Sequence, residues 1–210
     1  MIRRISLLAC VCIWIAAVAL GMGWLWSYNQ AAVAPATPPE RWPKETTVSL
    51  ATDKFTLVLL AHPKCPCTQA TIEELSKLIT NCKGRISTYV LFAIPQGVPD
   101  DWYHTDLWRS AALIPGVKTV VDHDGTEAVR FQAYTSGQVV LYDPQGQLRF
   151  RGGITQSRGH EGDNAGRSAI EAIVNKGSSD TDHTAVFGCP LFNPESECRV
   201  PKHGNNSKQE

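Results

Sequence analysis

Apolar and polar positions divide this chain into blocks of different period. Residues 5–26, "ISLLACVCIWIAAVALGMGWLW", are uninterrupted by charge. At about 1.5 Å rise per residue such a run is long enough to cross a bilayer core of about 30 Å. Residues 29–45, "NQAAVAPATPPERWPKE", lose all periodicity and gain Ala and Pro, which reads as a stalk. From residue 46 the short runs "TTVSLAT" and "FTLVLLAH" read as strands, the second apolar enough for the middle of a sheet. "TQATIEELSKLITNC" places Ile72, Leu75, Leu78 and Ile79 at helical spacing, with Gly84 as the stop. "RISTYVLFAIP" is β-branched and ends on Pro95. A helical pattern over "DDWYHTDLWRSAALIPG", a strand and turn in "KTVVDHDG", and a short helix over "TEAVRFQAY" follow. "GQVVLYDPQGQLRFRGG" is a hairpin of two alternating runs about a D-P-Q-G turn. After the polar loop "ITQSRGHEGDNAGR", "SAIEAIVNK" reads as a last helix. The order β-β-α-β-α-β-α-β-β-α predicts a layered α/β domain over 46–176.

Residues 177–210 form a polar tail, broken by the apolar, cysteine-bearing island 186–198, "VFGCPLFNPESEC". An apolar cluster in a solvated tail is expected to dock on something.

Charge changes the picture in two ways. Lys and Arg total 20 and Asp and Glu total 20, with no basic stripe, so nucleic acid is a poor partner. Arg3 and Arg4 precede the apolar run and Trp24, Trp26 and Tyr28 close it. The positive-inside rule then leaves the N-terminus in the cytoplasm and the domain outside, periplasmic in a bacterium. The competing reading is a signal peptide cut at "AVA" (32–34), but signal cores are shorter, about 7–15 residues. A retained anchor is favoured.

Seven cysteines are present. Cys10 and Cys12 lie in the apolar run. In an oxidising compartment the other five point to disulfide chemistry, and an odd number leaves one thiol free, metal-bound or paired between chains. Cys65 and Cys67 stand one residue apart where the apolar strand hands over to a helix. Helix N-termini favour thiolates, and Lys64 adds a positive neighbour. Cys65 is expected to be the exposed nucleophile and Cys67 the resolving thiol. Cys189 in "FGCPL" is either a distal resolving thiol or the partner of Cys198 in a staple, the latter slightly favoured. Two thiolates so close also suit Cu(I) or Zn(II), with His62, His160 or Cys189 completing the set. Without an ion, no cofactor is needed; the sequence carries no nucleotide or flavin fingerprint. In "SRGHEGDNAGR" Arg158 and Arg167 read as solvated and Asn164 or Asp163 as a helix cap, with a substrate-binding lip as the alternative.

"LVLLAHPKCPCTQATIEEL" resembles the strand, W-C-G-P-C turn and helix of the thioredoxin superfamily, and "YTSGQVVLYDPQGQLRFRGG" is similar to that superfamily's hairpin. The extra helix and strand between them resemble the TlpA-like and redoxin branches, and "GGITQSRGHEGDNAGR" with "FGCPL" resembles membrane-anchored bacterial proteins labelled RedB-like. The resemblance implies a three-layer fold with a central mixed sheet behind one transmembrane helix. It also implies thiol–disulfide exchange with protein cysteines through Cys65 and Cys67. Two departures stand out. Lys64 takes the place of the superfamily's first Cys, and Gly137, after Ser136, takes that of its proline. Ser136 and Gly137 then become the expected substrate-binding positions, with room gained at Gly137. Besides the metal carrier, a redox-inactive thioredoxin-like binding module remains open.

Overall fold

The computed structural model describes residues 2–33, 36–95, 97–99 and 101–191, with side chains from Leu7 onward. Cys198, and with it the expected Cys189–Cys198 staple, lies outside the described residues.

Helix α1 (Ile2–Asn29) contains the 23-residue stretch Leu7–Asn29, long and apolar enough to cross a membrane. Leu7, Trp14, Leu20 and Trp24 on it are all exposed. The rest is a five-stranded sheet: β1 (Phe55–Ala61), β2 (Ile86–Ile94), β3 (Val117–His123), β4 (Gln138–Tyr142) and β5 (Leu148–Gly153). Their order across the sheet is β3-β2-β1-β4-β5. β1, β2 and β3 run parallel; β4 and β5 run antiparallel to their neighbours. The sheet is therefore mixed, as the apolar β1 and the hairpin together predict.

Alternation along β1 builds two cores. Leu57, Leu59 and Ala61 face one side, with Leu75 and Leu78 of α2 (Thr68–Cys82), Leu107 of α3 (Asp106–Ala112) and Ile170 of α5 (Ala165–Lys176). Val58 and Leu60 face the other, with Ala128 of α4 (Thr126–Arg130), Phe131 and Tyr142. Three layers result. Helix α2 ends where Lys83 and Gly84 turn left-handed, at φ 49° and 78°, one residue before the expected Gly84 stop.

Two expectations are corrected. "TTVSLAT" is not a strand. The Thr46 hydroxyl, and both the N–H and hydroxyl of Thr47, donate to Glu127, while Ala51 N–H donates to the Thr56 hydroxyl. These bonds satisfy the segment without a ladder partner. The segment expected to be a stalk also packs along the domain. Val33 and Val186 exchange backbone hydrogen bonds, Glu40 O accepts from Leu148 N–H, and Pro39 O accepts from the Tyr142 hydroxyl. Trp42 stands edge-on to Phe131 and Tyr142, at centroid distances of 5.3 and 5.2 Å. Its prolines leave few backbone donors, so carbonyls do most of the docking.

Candidate thiol site

The site forms where β1 ends and α2 begins. The turn between them is held by two hydrogen bonds, Cys65 N–H to His62 O and Thr68 N–H to Cys65 O, each of 3.1 Å. Cys67 takes the cap position of α2, next to the helix's unpaired N–H groups. The third thiol arrives from far along the chain. Residues 186–191 lie beside the loop before β4, where Thr135 and Pro190 form an antiparallel bridge. Ser136 N–H donates to Cys189 O (2.8 Å) and Leu191 N–H to Tyr134 O (2.9 Å).

That docking brings Cys189 Sγ to 3.0 Å from Cys65 Sγ. The three sulfurs of Cys65, Cys67 and Cys189 all lie within 4.8 Å of one another. Burial works against a thiolate at Cys65, but hydrogen bonds from Cys189, Thr68 and Cys67 outweigh it and lower this thiol's pKa. Burial and the neighbouring thiols push Cys189 up to about 12. Of the two, Cys65 is therefore the more acidic thiol, and Cys189 holds its proton more tightly. Arg158 lies beside the pair: its Nη1 donates to Gly188 O at 2.8 Å and stands 4.0 Å from Cys67 Sγ.

Several sequence expectations change here. Cys65, expected to be exposed, is 1% exposed, and the half-buried thiols are Cys67 and Cys189. Cys189 sits over it. Ser136 and Gly137, expected to receive substrate, are buried. The Ser136 hydroxyl accepts from His62 N–H at 2.8 Å and shares a 2.7 Å hydrogen bond with Thr68. The room expected at Gly137 is filled by Thr71 Oγ1 and Phe187 O, 3.3 and 4.0 Å from where its Cβ would stand. Gly137 itself has φ 90°, which a proline cannot adopt.

Neither histidine joins the thiols. His62 Nδ1 accepts from Lys64 N–H, and its ring stands edge-on to Trp102, which also carries the Lys64 ammonium over its face at 4.4 Å. His160 is fixed in its own loop by a backbone bond to Ser157 O. Among the described residues, the group with metal-ligand spacing is Cys65, Cys67 and Cys189.

Both arginines expected in solvent are tied down. Arg158 holds the thiol site, and Arg167 Nε bonds the buried Glu74 at 2.7 Å. The sequence offered one signal for Arg158: a loop with too many small and charged residues to be a packing element. Asn164 is the residue before α5, but its Oδ1 accepts from Gln156 N–H in place of capping the helix.

No known family model and no curated protein matches this sequence. Solved structures do. The chain is similar to a hypothetical protein from Sinorhizobium meliloti, at 18% identity and TM-score 0.56, over 77% of this chain and 93% of that one. It is similar to an uncharacterized conserved protein from Geobacillus kaustophilus, at 16% identity and TM-score 0.56, over 80% and 95%. A secreted disulfide oxidoreductase from Mycobacterium tuberculosis is a more distant likeness, at 14% identity and TM-score 0.42, over 60% and 84%. With cysteines at the β1–α2 junction and a β4–β5 hairpin beside β1, the chain has a thioredoxin-like fold.

Proposed function

We propose that the chain is a membrane-anchored, extracytoplasmic thiol–disulfide oxidoreductase acting on protein cysteines. The observation that carries this is the 3.0 Å approach of Cys65 and Cys189, with Cys67 in the same cluster. A disulfide bond is about 2.05 Å long, so a small shift closes one. In the forward step the Cys65 thiolate attacks one sulfur of a protein disulfide and the other leaves as thiolate. Cys67 or Cys189 then attacks the Cys65 sulfur and expels the substrate's remaining thiolate. The chain is left with an internal disulfide, which a second protein dithiol reduces. No nucleotide takes part.

Retention of the anchor is supported by Val33, whose two hydrogen bonds to Val186 would be lost by a cut after Ala34. The anchor also meets the site. Arg158 N–H donates to Asn29 O, and its guanidinium lies 4.9 Å from the Tyr28 ring. The thiols would then face partners close to the bilayer surface.

In detergent micelles the full chain should accelerate the reduction of insulin by dithiothreitol. A rate equal to that of dithiothreitol alone contradicts the proposal.

A second reading rests on the same three sulfurs. A metal–sulfur bond of about 2.3 Å puts sulfurs about 4 Å apart in a trigonal site, which lies inside the observed span. Cu(I) or Zn(II) held by Cys65, Cys67 and Cys189 fits the softness of the donors. A chain that purifies with one equivalent of copper or zinc and stays reduced in mild oxidant favours this carrier.

A further inference from the structure

Residues 186–191 have the backbone of a guest strand. Val186 is pinned to Val33, Cys189 O and Leu191 N–H bond the 134–136 edge, and Leu191 enters the second core. Pro190, which has no N–H to give, sits between the two bonded residues. Between these anchors Cys189 presents its sulfur to Cys65 at 3.0 Å. A protein cysteine undergoing exchange must reach Cys65 in a similar way: an extended backbone held along an edge, with its sulfur at the nucleophile. Main-chain hydrogen bonds supply affinity to such a strand whatever its sequence.

One position is selective. A Cβ on Gly188 would stand 1.7 Å from Ser136 O and 3.3 Å from Thr135 Cγ2. No side chain fits there while the 136–189 bond holds. Arg158 donates to the main-chain carbonyl of the same residue, Gly188 O.

We propose that residues 187–191 lie along the Tyr134–Ser136 edge as an internal stand-in for substrate, and that substrates carry glycine immediately before the cysteine. This rests on the oxidoreductase reading and gives it a substrate class: extended protein segments of Gly-Cys type. It also explains why Cys65 is covered. An incoming segment displaces Cys189, takes its hydrogen bonds from Ser136 and Arg158, and uncovers the nucleophile. The exchange balances, since Cys65 bonds the substrate sulfur and the substrate's former partner leaves as thiolate.

The test uses full-length chain and the peptide Phe-Gly-Cys-Pro-Leu with its cysteine joined to thionitrobenzoate. Attack by Cys65 forms the Cys65–peptide disulfide and releases the coloured thiolate. The expected result is reaction at least about tenfold faster than with Phe-Ala-Cys-Pro-Leu carrying the same group. Gly188→Ala, which cannot seat its own strand, should react faster with the glycine peptide than the parent chain does. Leu191→Ser loosens the stand-in at its apolar end and should do the same, which keeps the test open if Gly188→Ala fails to fold. Equal rates for the two peptides would overturn the docking proposal, as would failure of a folded variant to outpace the parent. Glutathione disulfide serves as control. If it reacts while the peptides do not differ, only the docking proposal falls. If neither it nor either peptide reacts, the oxidoreductase reading falls and the docking proposal with it.

Discussion

Cys65→Ser should lower the turnover of insulin or scrambled ribonuclease by at least about two orders of magnitude, with little change in melting temperature. Oxygen for sulfur is close to isosteric, so the fold survives. What goes is the thiol whose pKa the hydrogen bonds with Cys189 and Thr68 lower. Cys67→Ser and Cys189→Ser should each be milder, because either remaining thiol lies within 4.8 Å of Cys65 and can resolve the mixed disulfide. Turnover assays on the three variants separate the roles. If Cys65→Ser keeps its turnover and Cys67→Ser loses it, the nucleophile is Cys67.

Glu74→Ala should cost about 3–5 kcal/mol of stability at pH 7, as breaking a buried ion pair does. Glu74 is fully buried, and its carboxylate accepts from Lys77 Nζ at 2.7 Å, Gly162 N–H at 3.0 Å and Arg167 Nε at 2.7 Å. It thereby ties α2 to the 155–164 loop and to α5. Burial alone would raise its pKa, but the hydrogen bonds prevail and hold it at about 2. The unfolded value is about 4.3, so the folded carboxyl is the stronger acid. Its stabilisation, on the order of 3 kcal/mol, is present above about pH 5 and is lost as the pH falls through 4 towards 2. Urea unfolding should therefore show a large gap between parent and Glu74→Gln at pH 7 that narrows by pH 3. A gap independent of pH would mean that the carboxylate's charge is not what matters.

The elements with a strong period were legible in the sequence, and those defined by side-chain partners were not. Helix α2 covers the expected 68–82 because Ile72, Leu75 and Leu78 repeat at helical spacing into one core. The hairpin falls on its D-P-Q-G turn. "TTVSLAT" misled because β-branched threonines favour strands, while here their hydroxyls serve Glu127, a residue about 80 positions away. Helix α3 begins only at Asp106, capped by Thr105, because the expected start is spent on turns at 101–103.

The thiol site was half legible. Cys65 and Cys67 declared themselves by position. The docked tail was expected from its apolar residues, but not its seat. That seat depends on a backbone edge at 134–136 and on the missing Cβ of Gly188, which no periodicity reports. Glu74 was hidden for a related reason. A glutamate on an amphipathic helix reads as solvated until its partners, Gly162 and Arg167, are brought over it from about 90 residues away.

Differential alkylation of the full-length chain shows whether these thiols cycle. Thiols are blocked before and after mild reduction, and the disulfide-linked peptides are read by mass spectrometry. The expected result is an oxidised form in which Cys65 is joined to Cys189 or Cys67 and a reduced form in which all three thiols are open to alkylation. A chain whose Cys65 carries the same label before and after treatment with mild oxidant would contradict it.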